Sequence, residues 1–185
     1  MYNKLLILYS GGSDSRLLLE MAKRTNNEIF CVLIDYGQLH NEELEYAKKQ
    51  LQCLNVNYQI VEIKGLNIHS ALTGNGDKGT YEGVSEWHVP GRNTMFLSIA
   101  LSLAEANKCT KVWIGPDFSD RLGLFPDCFQ EYIVKMRDIF QVAGSIPIEL
   151  EAPLLGMTKQ LVNDLLKSFN INHEDIFSGY GKLQS

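Results

Sequence analysis

The sequence predicts an α/β protein built on a doubly wound (Rossmann-like) parallel sheet of about five strands. Three observations lead there. Short apolar runs alternate with amphipathic helical stretches along the chain. The first of these runs opens directly into a Gly-Gly turn, as a strand-to-helix crossover requires. No repeat, low-complexity tract or linker divides the 185 residues, so a single domain over residues 1–185 is the simplest partition.

Leu5-Leu6-Ile7-Leu8-Tyr9 is apolar at every position, the pattern of a strand buried on both faces. Ser10-Gly11-Gly12-Ser13-Asp14-Ser15 follows. Leu17, Leu18, Leu19, Met21 and Ala22 then read as a helix, with Asp14 or Ser15 near its cap. A strand, a Gly/Ser turn and a helix N-terminus together make an anion cradle of free backbone N–H groups, small hydroxyls and a positive dipole end. Glu28 to Asp35 forms the second strand and ends on an acid. Leu44, Ala47, Leu51 and Leu54 recur at helical spacing, giving a helix from about 41 to 54. Tyr58 to Ile63 is the third strand. A Gly/Asn-rich stretch from Gly65 to Gly83 follows with little periodicity.

Asn93 to Ala104 is apolar almost all round, which predicts a helix buried within a layer. Val112-Trp113-Ile114-Gly115 is a fourth strand. A helix runs from about Pro126 to Phe140, and Ile146 to Leu150 is a weaker fifth strand. Leu161, Val162, Leu165, Leu166 and Phe169 mark a last amphipathic helix capped by Thr158. In such sheets ligands bind at the carboxyl ends of the strands, near the switch in strand order. The loops at Ser10, Asp35, Arg92 and Asp117 all fall on that edge.

A net charge of −5 argues against a nucleic-acid partner, which calls for a basic excess. No apolar run is long enough to span a membrane, and no targeting segment precedes the first strand, so a cytoplasmic location is expected. Cys31, Cys53, Cys109 and Cys128 are scattered, without the short spacings of zinc ligands. Cys31, in an apolar run, and Cys53, on a helical face, read as buried thiols.

The polar motifs carry the chemistry. Val89 to Asn93 enters an apolar helix and is either a site where Arg92 clamps a phosphate or carboxylate or a plain helix-entry turn with Asn93 as the cap. Asp117, Asp120 and Asp127 form an acidic loop that either holds magnesium, reads donor groups on a base, or is solvated. Asp35-Tyr36-Gly37-Gln38-Leu39-His40 is either a site loop or a polar turn before a helix.

The hexapeptide lacks the Lys-Ser/Thr of the Walker loop and the three glycines of the dinucleotide fingerprint. It resembles the Ser-Gly-Gly-X-Asp-Ser pyrophosphatase loop of enzymes that cleave ATP between the α and β phosphates. That resemblance makes Ser10, Gly11, Gly12, Ser13, Asp14 and Ser15 ATP-site residues, with Asp14 beside the phosphates or magnesium. The wider pattern resembles the 7-cyano-7-deazaguanine synthase family. The matching elements are Ser10 to Ser15, Asp35 to Glu43 (Asp-Tyr-Gly-Gln-X-His and a Glu) and Val89 to Ser98 (Val-Pro-Gly-Arg-Asn-Thr-X-Phe-Leu-Ser). Ile114-Gly115, Asp120, Pro126-Asp127-Cys128, Pro153-Leu154 and Met157-Thr158-Lys159 follow in the family's order.

The resemblance implies an adenine nucleotide alpha-hydrolase-like fold and a carbon–nitrogen ligase acting on 7-carboxy-7-deazaguanine. ATP and Mg2+ would serve it, and free ammonia would be the nitrogen donor because no amidotransferase domain is visible. Arg92 and Lys159 would neutralise phosphate charge beside Asp14. Tyr36, Gln38, Arg92, Asn93, Asp120 and Asp127 would line the substrate site. His40 either assists a proton transfer or is a structural histidine. Relatives' dimers make a homodimer an expectation.

Departures from the family pattern are also legible. No cysteine follows Cys128, and Ser178-Gly179-Tyr180-Gly181 stands where a Ser-Cys-Tyr element begins the family's zinc cluster, so zinc is not expected. Phe129, Phe125 and Leu39 replace the usual Arg, Tyr and Arg. These changes leave open whether the product is the nitrile or 7-amido-7-deazaguanine. A catalytically inactive nucleotide-binding protein is the rival outside enzymes. Thiolases or ligases acting on tRNA would add basic RNA-binding segments or cysteine pairs, and none is visible.

Overall fold

The computed structural model describes residues 3–25, 27–38, 41–65, 72, 88–122, 125–172 and 175–176. The strands are β1 (Lys4–Leu8), β2 (Glu28–Asp35), β3 (Asn57–Glu62), β4 (Lys111–Trp113) and β5 (Glu149–Glu151). The helices are α1 (Ser13–Ala22), α2 (Asn41–Cys53), α3 (Arg92–Ala106), α4 (Phe118–Leu122), α5 (Gln130–Val142) and α6 (Lys159–Ser168). A 3-10 turn over Pro126–Cys128 precedes α5.

All strand pairings are parallel and the order is β3-β2-β1-β4-β5. The chain starts in the middle, winds outward to β3, then returns to β4 and β5 on the other side of β1. The switch in strand order therefore lies between β1 and β4, where the diverging connections open a crevice at the strands' carboxyl ends.

Both faces of the sheet are covered, which is why β1 carries no polar residue between Leu5 and Leu8. Leu6 points into a core with Leu97, Ala100 and Ala104 of α3 and Ile133, Met136 and Phe140 of α5. Leu5 and Ile7 point the other way, onto Leu17 and Leu18 of α1, Ala47 and Leu51 of α2, and Val162 and Leu166 of α6.

Several sequence expectations shift. Helix α1 begins at Ser13 with Gly12 at its cap position and no side-chain cap, so Asp14 and Ser15 stand near the cap, in the first turn, without serving as it. Gly91 at φ +65° precedes α3, and Asn93 is the buried second residue of that helix. Helix α3 is not buried all round. Thr94, Ser98 and Ser102 are exposed, and Ser98 Oγ and Ser102 Oγ donate to the carbonyls of Thr94 and Ser98 at 2.8 and 3.2 Å. Hydroxyls satisfied by the preceding turn sit on an outer face without needing a partner.

The span expected as one helix from Pro126 divides into the 3-10 turn and α5, because Phe129 is extended (φ −82°, ψ 154°). The fifth strand falls at Glu149–Glu151 rather than starting at Ile146. Cys53 is exposed at the end of α2, whereas Cys31 is buried in β2. No helix among the described residues is long and apolar enough to cross a membrane.

Candidate active site

The loop after β1 is shaped by Gly11. Its φ of +86° lies in the left-handed region, and a Cβ there would stand 2.9 Å from Ala47 Cβ and 3.0 Å from Ala47 Cα. Only glycine lets the loop press this closely onto α2. Ser15 fastens the turn from inside: its Oγ accepts from Gly11 N at 3.0 Å and donates to Gly12 O at 3.1 Å. Ser10 Oγ lies 3.2 Å from Ser15 Oγ and accepts from Gly12 N at 3.4 Å. With no side-chain cap on α1, the first N–H groups of that helix remain available to an anion.

Across the switch point, the loop after β4 brings in the acids. Gly115 allows close approach, since a Cβ there would lie 3.1 Å from Leu18 Cδ1 and 3.6 Å from Asp14 Cβ. Asp117 is 1% exposed and caps α4. Its Oδ1 accepts from Ser119 N at 2.7 Å, from Ser119 Oγ, and from Asp120 N at 3.3 Å. Asp120 Oδ2 in turn accepts from Asp117 N at 2.9 Å.

Lys159 closes the cluster from α6. Thr158 Oγ1 accepts from Leu161 N at 3.3 Å, the expected N-cap. Phe118 N donates to Met157 O at 2.9 Å, which ties the start of α6 to the β4 loop. Lys159 Nζ then donates to both carboxylate oxygens of Asp14 at 2.7 Å and stands 3.4 Å from Asp117 Oδ2.

These groups perturb one another. Burial raises the Asp14 carboxyl, while the Lys159 charge opposes the rise. Burial pushes Asp120 up to about 6, helped by the charges of Asp117 and Asp14. Burial alone would also raise Asp117, but the Ser119 hydrogen bonds and Lys159 outweigh it and hold that carboxyl low. For Lys159 burial works against the charge, and the attraction of Asp14 prevails, so its ammonium is held charged.

A second group gathers at the N-terminus of α3. Asp127 is buried, and its Oδ2 accepts from Asn93 N at 3.0 Å. Asn93 Nδ2 donates to Asp127 O at 3.1 Å and to Cys128 Sγ at 3.4 Å. A carboxylate at this position satisfies an orphan helix donor and complements the dipole. The two groups meet at Cys128: burial pushes its thiol up to about 12, and it feels the charges of Asp120, Asp127 and Arg92. At the end of β2, the Tyr36 ring packs 5.4 Å from that of Phe96 on α3. Gln38 Oε1 turns back to accept from Tyr36 N at 3.0 Å.

The fold thus unites Asp14, Lys159 and Asp120 around the phosphate-type loop, with Arg92, Asn93 and Asp127 beside them. His40 lies outside the described residues, as do most of the Gly65 to Gly83 stretch and the Ser178 to Gly181 element. Asp117 had been only one acid of a loop; its pairing with Lys159 and the close approach at Gly115 join elements far apart in the chain. The Gly115-Pro116-Asp117 stretch that follows β4 is their one local signal.

A five-stranded parallel sheet with helices on both faces and a Ser-Gly-Gly-X-Asp-Ser loop at its switch point defines a doubly wound α/β protein. The queuosine biosynthesis protein QueC family matches residues 4–185, and the chain belongs to that family. It is 34% identical over 169 residues to 7-cyano-7-deazaguanine synthase 1 of Colwellia psychrerythraea, covering 88% of this chain and 77% of that one. It is 35% identical over 184 residues to the 7-cyano-7-deazaguanine synthase of Picrophilus torridus, covering 94% and 77%.

Among solved structures, the U34-tRNA thiolase NcsA of Methanococcus maripaludis superposes with a TM-score of 0.60 at 16% identity. That superposition covers 96% of this chain and 61% of the thiolase. A predicted tRNA methyltransferase subunit from Methanocaldococcus jannaschii gives 0.59 at 15%, covering 95% and 92%. At these identities the likeness is one of fold.

Proposed function

We propose that this chain is an ATP-dependent ligase that adenylates the carboxylate of 7-carboxy-7-deazaguanine and replaces AMP with ammonia. The observation that carries the reading is Lys159, brought from 145 residues away to within 2.7 Å of Asp14 on the loop. A cation fixed there beside uncapped helix N–H groups suits the phosphates of a nucleotide. Membership of a queuosine-biosynthesis family, with relatives named for the deazaguanine nitrile, supports the choice of acceptor.

In this reading the loop Ser10 to Ser15 and Lys159 bind the β and γ phosphates, and Arg92 faces the α phosphate or the acid. A carboxylate oxygen attacks the α phosphorus and pyrophosphate leaves. Ammonia then adds to the acyl carbon, AMP departs with the bridging oxygen, and a proton is lost to give the amide. In a second round the amide oxygen attacks the α phosphorus of a second ATP and pyrophosphate leaves; loss of AMP and of both N–H protons then leaves the nitrile. Adenylation supplies the leaving group, so positioning and charge stabilisation do most of the protein's share.

Tyr36 and Phe96 give the acceptor an aromatic wall, and Asn93 and Asp127 anchor the helix end that carries Arg92. Asp120, poised near 6, is suited to pass a proton at the incoming amine. The carboxylates of Asp14 and Asp117 are hard oxygen donors, and the buried Asp117 Oδ2 has no hydrogen-bond partner, so these two fit magnesium arriving with nucleotide. When bound, that ion supplies charge neutralisation on the phosphates.

The test is incubation of the intact chain with the acid, ATP, magnesium and an ammonium salt, followed by mass analysis. Two AMP per nitrile is the expected outcome. One AMP per amide would limit the reaction to a single round, and no AMP would leave a nucleotide-binding protein without catalysis.

A further inference from the structure

The geometry points to Lys159 as a built-in stand-in for the divalent cation. Its ammonium fills the place between Asp14 and Asp117 until nucleotide phosphates draw it off, so that metal joins the site with the nucleotide and not before it.

The ammonium is held as a cation in a binding site is held. It meets both oxygens of Asp14 at 2.7 Å and Asp117 Oδ2 at 3.4 Å. Asp117 cannot turn away, because its other oxygen is engaged by Ser119 and by Asp120 N. Its Oδ2 is buried and receives no hydrogen bond, so the ammonium's charge is what this oxygen faces, and a buried carboxylate oxygen left bare is costly.

The site also has capacity beyond one ammonium, since Asp120 adds a third carboxylate joined to Asp117 through the α4 cap. Yet no group of three His, Cys, Asp or Glu side chains among the described residues is placed to hold a metal ion by itself. Two carboxylates completed by phosphate oxygens are the usual provision for magnesium. Lys159 is suited to yield. Its side chain is 44% exposed, and a flexible four-carbon stem lets the charge swing onto phosphate and leave the oxygens of Asp14 and Asp117 to the metal. The inference rests on the nucleotide reading only for what displaces the ammonium.

The test uses manganese alone as the probe, followed by electron paramagnetic resonance on the full chain. Without nucleotide, wild type should bind Mn2+ weakly, and Lys159→Met should bind it at least about tenfold tighter, as expected when a cation a few ångströms away is removed. Adding Asp117→Asn to that variant should remove the gain, and wild type with α,β-methylene-ATP should take up Mn2+ stoichiometrically. Lys159→Gln serves as a second variant with the same expected gain, and thermal melts check that each protein is folded.

Nucleotide-free Mn2+ binding by wild type as tight as by the variants would overturn the proposal. So would variants that bind no tighter than wild type. A gain in the variants, with no nucleotide uptake by wild type, would uphold the lock and count against the nucleotide reading.

Discussion

Gly11 and Gly12 are adjacent and chemically identical, yet alanine should act on them in different ways. At Gly11 the backbone is left-handed (φ +86°), and the added Cβ would lie 2.9 Å from Ala47 Cβ and 3.0 Å from Ala47 Cα. A left-handed alanine costs about 1–2 kcal/mol, and overpacking against a helix with no flexible end to yield adds about 1–3. The sum, roughly 2–5 kcal/mol, should lower Tm by about 4–20 °C in a chain of this size. Nucleotide affinity should fall with it as the loop lifts from α2.

At Gly12 the φ is −75° and the added Cβ meets only Ser10 Oγ at 3.5 Å. Gly12→Ala should therefore cost under about 1 kcal/mol, the difference between glycine and alanine at an N-cap. It should still weaken ATP binding, because the methyl group enters the open side of the loop. Paired thermal melts and nucleotide titrations read both effects. Equal loss of stability in the two variants, or unchanged ATP binding in both, would refute the account of the loop.

Asp14→Asn and Arg92→Ala should each lower AMP formation by at least about 100-fold, the scale of losing a group that stabilises transferring charge, while circular dichroism stays native. Asp120 has a folded pKa raised to about 6 above an unfolded value of about 3.9, so its ionisation opposes folding above that range. Asp120→Asn should therefore raise Tm at pH 8, and the gain should shrink through pH 6 and vanish near pH 4; a gain constant with pH would reject the shift. Asp127→Ala strips the acceptor from Asn93 N and should cost about 1–3 kcal/mol in urea unfolding, with Asp127→Asn milder.

The two central strands were legible because a sheet covered on both faces needs continuous apolar runs, and Leu5 to Leu8 and Phe30 to Ile34 supply them. The phosphate-type loop was legible because its residues are contiguous. Asp117 facing Lys159 was not, since the pair is set by the β4–β1 register and the Phe118–Met157 backbone bond. Helix α3 misled for a local reason: its serines hide their hydroxyls in the preceding turn, so composition overstated its burial. Cys53 misled as well: it is the last residue of α2 and is exposed there.

Labelling both carboxylate oxygens of 7-carboxy-7-deazaguanine with 18O tests the central claim most directly. If the acid is adenylated at the α phosphorus, each AMP released carries one 18O and the nitrile carries none. AMP free of label, or ADP in its place, would contradict the account.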